Sequence, residues 1–165
     1  MKLPRALRDI RTIKTLLTNA ETEATNGGDD LPGPEHLLLS TIGLPDGTAR
    51  RAFQRLGIEP DHLRTAINDV HQEALARIGV TAHGHLEPAT PNAPTGPHRM
   101  TAPAQQAFHS AVALSKTTRP ALLRGGHIVI AVCEQEHGTV TRAIKALGID
   151  RAALTAAAHE ELAAG

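Results

Sequence analysis

Apolar residues return along the chain every three or four positions. Leu7, Ile10, Ile13, Leu16, Leu17, Ala20 and Ala24 form the first such stripe, which predicts an amphipathic helix. Pro4 suits its first turn, and Asn26-Gly27-Gly28-Asp29-Asp30 ends it. Pro34 opens a second helix whose Leu37, Leu38, Leu39 and Ile42 are apolar nearly all round, the mark of a central helix. After the turn Pro45-Asp46-Gly47, the stripe Ala49, Ala52, Phe53 and Leu56 predicts a third, closed by Gly57. Glu59-Pro60 starts a fourth, with Leu63, Ile67, Val70, Ala74 and Ile78 inward and Gly79 at its end.

Residues 80–99 differ in kind: Pro and Gly are frequent and apolar periodicity is absent. They read as a linker or long exposed loop between a first unit, 1–79, and a second, 100–165. The second unit then repeats the order of the first. Thr101 and Pro103 open a helix with Ala104, Ala107, Phe108 and Ala111 inward. Ile128, Val129, Ile130 and Val132 give a second all-apolar helix. Val140, Ala143, Ile144 and Leu147 precede Gly148, and Asp150 caps a last helix. At an offset of 91 positions, His36 aligns with His127, Gly47 with Gly138, Thr48 with Thr139 and Arg51 with Arg142. Ala52, Leu56, Gly57 and Leu63 align with Ala143, Leu147, Gly148 and Leu154. These matches sit at turn and stripe positions, so the expected fold is all-α: two four-helix repeats, about eight helices, related by a pseudo-twofold axis. Each repeat carries more apolar surface than it can bury alone, so both are expected to form one compact domain.

Composition changes this picture little. At 165 residues the chain can bury an adequate core without staples. Seventeen acidic residues balance 17 basic ones, which leaves no global field for nucleic acid and no basic run for an anionic membrane. Cys133 is the single cysteine and lies within an apolar helix, where an inert thiol is expected. The N-terminal stretch carries charges every few residues and reads as neither a signal peptide nor a membrane span. A cytoplasmic protein is expected.

Candidate chemistry is sparse. Ser40, Ser110 and Ser115 have no Asp-His set at a recognisable spacing, and no nucleophile or acid–base pair stands out, so no enzyme is expected. The chain has ten histidines. His83, His85 and His98 flank the linker, but no cysteine or carboxylate cluster accompanies them, and no metal site or cofactor is expected anywhere in the chain. A small regulator sensing metal or pH through its histidines is the alternative reading. His36 and His127, each at the start of an apolar helix, are expected to bond the preceding loop.

Gly33-Pro34-Glu35-His36-Leu37-Leu38-Leu39, then Gly47 and Leu56-Gly57-Ile58, resemble the N-terminal repeat of Clp ATPases. That pattern runs G-T-E-H-L-L-L, a short turn with glycine, then L-G-V. Ala20, Glu23, Ala24 and Gly28 fit its A-x-x-E-A-x-x-x-G, and Met100-Thr101 with Ala104 fit the start of a second repeat. The resemblance spans residues 5–163. It implies a non-enzymatic module that binds proteins, peptides or adaptors for a Clp unfoldase. No G-x-x-x-x-G-K-[ST] phosphate loop accompanies it, so ATP hydrolysis is not expected.

An adaptor bringing cargo to Clp machinery and a decoy for a Clp-directed small molecule both fit. Some members of the family bind phosphorylated arginine with the Glu of G-T-E-H and the Thr of the first helix. The first half has Glu35 but Ile10 at the Thr position; the second has Thr101 but Gly126 at the Glu position. Neither half carries both, so an intact site of that kind is not expected. Glu35, Thr101, Met100, Ile10 and Gly126 remain the candidate ligand contacts, lining a groove between the repeats.

Overall fold

A computed structural model describes residues 4–79 and 99–165. The expected linker, with His83, His85 and His98, lies outside the described residues apart from Arg99. Among the described residues all regular structure is helical, in eight helices. These are α1 (Arg5–Gly27), α2 (Pro34–Ile42), α3 (Thr48–Arg55) and α4 (Pro60–Arg77), then α5 (Ala102–Ser115), α6 (Gly125–Cys133), α7 (Thr139–Ala146) and α8 (Arg151–Ala164).

The two uniformly apolar helices are central, as their sequences require. α6 is buried from end to end, and α2 from His36 onward. α1 lies on α2, and α5 lies on α6. The third and fourth helices then cross over: α3 packs on α8, and α4 on α7. The repeats therefore interlock, each supplying the last wall of the other. Phe53, Leu63 and Ile67 from the first repeat and Ile128, Val129 and Leu154 from the second share one buried cluster. Full burial of such a side chain contributes about 1.5–3 kcal/mol. Phe108, also expected inside, packs against this cluster while partly buried.

The Leu-Gly-Ile motif has the same cause in both repeats. Gly57 and Gly148 have φ of 73° and 71°, the left-handed conformation that reverses a chain past a helix end. Their neighbours Ile58 and Ile149 turn back onto the core. Two expected stripes outrun the core. Leu7 and Ile10 at the start of α1 are 51% and 61% exposed, and Ile78 just past α4 is 71% exposed.

Candidate functional site

The loop entering each central helix is fixed by its histidine. The Gly33 amide donates to His36 Nδ1 at 2.9 Å, and the Arg124 amide to His127 Nδ1 at 3.0 Å. Each bond satisfies a donor that a helix start leaves orphaned. It also places the ring proton of the neutral imidazole on Nε2. His127 spends that proton on Thr118 Oγ1, 2.9 Å away. Burial, then the Arg124 charge, pushes the His127 pKa down to about 4. His36 is held below its ordinary value by burial, opposed by the carboxylates of Glu35 and Asp29.

The α6 start is completed by the other repeat. The Asp46 carboxylate accepts from the Gly125 amide at 3.2 Å, and Thr48 Oγ1 accepts from the Gly126 amide at 2.7 Å. Asp46 also accepts from the Thr48 amide and hydroxyl. Gly126 is thus buried, its amide already used. A Cβ there would stand 2.9 Å from Leu162 Cγ. It is a close-approach position inside the interlock and offers no open surface to a ligand, contrary to its place among the candidate contacts.

The other candidates sort into two ends. At one, Arg5 donates to Ala121 O at 2.9 Å, and the Asp9 carboxylate accepts from the Leu123 amide at 2.9 Å. The first turns of α1 are thereby bound to the loop entering α6, while Leu7 and Ile10 stay exposed. At the other, the Thr101 amide donates to Pro32 O at 3.0 Å, joining the start of α5 to the loop entering α2 and Glu35. Thr101 Oγ1 caps α5 by accepting from the Ala104 amide at 3.3 Å. Met100 packs against the core and is only half-exposed. Thr101 and the Glu35 loop therefore meet across repeats, although neither repeat holds both. The start of each repeat's first helix is bonded to the loop that enters the other repeat's central helix.

A further group of side chains gathers beside Glu35. His36 Nε2 lies 3.3 Å from Asp29 Oδ2, and His71 Nε2 lies 3.5 Å from Glu35 Oε1. His71 Nδ1 is 3.7 Å from Asp29 Oδ2. Donor atoms of Asp29, Glu35 and His71 all fall within 4.8 Å of one another. Nothing local in the sequence signals this cluster. Asp29 sits in a turn, and His71 lies on α4, far along the chain. Nearby, Arg64 grips Glu23 at 2.8 Å, and that bond holds the Glu23 pKa below its usual range. Cys133 is buried, and burial pushes its thiol up to about 11, as expected for an inert cysteine.

Comparison with known proteins agrees with this architecture. Residues 11–91 match the Clp repeat (R) N-terminal domain family. No curated protein matches the chain by sequence. Among solved structures it is similar to the N-terminal domain of the caseinolytic protease associated chaperone ClpD from Arabidopsis thaliana. That likeness has a TM-score of 0.58 at 24% identity, over 94% of this chain and 92% of that one.

Proposed function

We propose a non-enzymatic docking module for protein or peptide ligands, on the premise that residues 11–91 match the Clp repeat N-terminal family and the described helices share the fold of such a domain. The ClpD domain comes from a chaperone associated with a caseinolytic protease. By that likeness, the ligands here are segments of proteins destined for, or attached to, Clp machinery.

The observation that carries this reading is the exposed apolar start of α1. Leu7 and Ile10 stand in solvent on a helix whose polar neighbours Arg5 and Asp9 lock it to the loop entering α6. The apolar pair is held in place without being buried, which suits a surface that meets another chain. The second end, with Thr101 and Glu35, supports a polar contact. A carboxylate there suits a guanidinium, and a hydroxyl with helix-start amides suits an anion.

Binding is tested by fluorescence anisotropy with labelled, unfolded casein. Leu7→Asp with Ile10→Asp, and separately Thr101→Ala, should weaken binding about tenfold or more while leaving the fold intact. Unchanged affinity in both variants removes the reading. Adaptor and decoy separate when the chain is added to a Clp unfoldase–protease degrading that casein. An adaptor accelerates turnover, whereas a decoy slows it.

A further inference from the structure

We propose that Asp29, Glu35 and His71 form a binding site for one divalent transition-metal ion of the zinc class. The three residues come from separate elements, each fixed independently. Asp29 follows the left-handed Gly28 cap of α1, and its amide donates to Ala24 O at 2.9 Å. Glu35 stands in the first turn of α2, and His71 in the middle of α4. One imidazole with two carboxylates is a donor set that zinc-like ions accept and that all-oxygen calcium or magnesium sites lack.

Three observations point to a cation between these groups. Asp29 Oδ2 is buried without a hydrogen-bond partner, although two imidazoles face it at 3.3 Å and 3.7 Å. Among the described residues no lysine or arginine pairs with Asp29 or Glu35; Arg64 on α4 is committed to Glu23. The His71 ring stands between the carboxylates at 3.5 Å and 3.7 Å, too far for good hydrogen bonds to either.

Ligands of a tetrahedral zinc ion lie about 3.3 Å apart, so donors already within 4.8 Å need only small side-chain rotations. Asp29 and His71 are 41% and 22% exposed, which leaves them room to rotate. His36, its Nδ1 tied to Gly33, presents Nε2–H toward Asp29 and acts as a positioning residue for that ligand. The proposal goes beyond the docking role. It shares only Glu35 with the polar docking end, so its test runs through Asp29 and His71.

The full chain is titrated with Zn2+ by calorimetry in chelator-free buffer, and with Co2+ by visible absorption. One equivalent should bind. His71→Gln and Asp29→Asn should each lower affinity at least tenfold and abolish the cobalt bands. A His83→Ala, His85→Ala, His98→Ala triple variant should bind as before. Absence of stoichiometric binding, survival of binding in both site variants, or loss in the triple variant overturns the assignment. Should a site variant melt earlier without metal, paramagnetic broadening by Co2+ in the unaltered protein decides. Broadening centred on residues 29, 35 and 71 supports the site, and a centre elsewhere overturns it. A disrupted Leu7/Ile10 surface leaves all these readouts unmoved.

Discussion

His127 and Gly126 are adjacent, and each fails differently when changed. His127 is fully buried, with a pKa lowered to about 4 from the ordinary value of about 6.5. Between those values the unfolded chain takes up a proton that the folded chain refuses. The His127 contribution is therefore neutral to stability above about pH 6.5 and increasingly destabilising as pH falls to about 4, reaching about 3 kcal/mol. Urea melts at pH 7, 5.5 and 4.5 should show this decline, and His127→Gln should flatten it. Gly126 faces Leu162 at overlap distance for any Cβ. Gly126→Ala should cost about 1–3 kcal/mol by overpacking, seen as a lower urea midpoint with unchanged slope. The histidine's role at a helix start was legible because it recurs at the same register in both repeats. The glycine's was not, because the family pattern puts a carboxylate there, and only the approach of α8 shows why nothing larger fits.

At the scale of elements, Pro and Gly punctuation reveals most helix starts and stops, since those residues act through local backbone geometry. The inward face was legible where the stripe is long. It misled at the helix ends, where periodicity continues after the core has run out: Leu7, Ile10 and Ile78 sit on regular stripes yet face solvent. Cross-element capping was invisible for a related reason. Asp46 and Thr48 read as turn residues, and their second task, receiving the Gly125 and Gly126 amides of α6, depends on tertiary approach. Asp46→Ala should therefore destabilise by about 1–3 kcal/mol, because it leaves the part-buried Thr48 and Gly125 amides without their acceptor. Chemical denaturation checks this. Asp46→Asn, which keeps an acceptor, should recover part of the loss.

For the molecule as a whole, the duplication in the sequence foretold two repeats and an all-helical core, but not the exchange of walls between them. Residue matching along a chain compares like with like, whereas the fold pairs α3 with α8 and α4 with α7. The same exchange joins Thr101 to the loop entering α2, a neighbourhood that matching one half against the other does not reveal. Deleting α8 strips α3 and α6 of a partner together. The truncated chain should lose helical structure throughout rather than at one end, which circular dichroism and urea titration would record as loss of a single cooperative transition.

The central claim is that the starts of α1 and α5, each seated on the other repeat's loop, are where protein ligands dock. Backbone NMR during titration with an unfolded casein segment tests it most directly. The account predicts shifts concentrated at residues 5–10 with 121–124, and at 100–101 with 32–35. Saturable binding whose shifts fall on the α4–α7 side while both ends stay unmoved would contradict it.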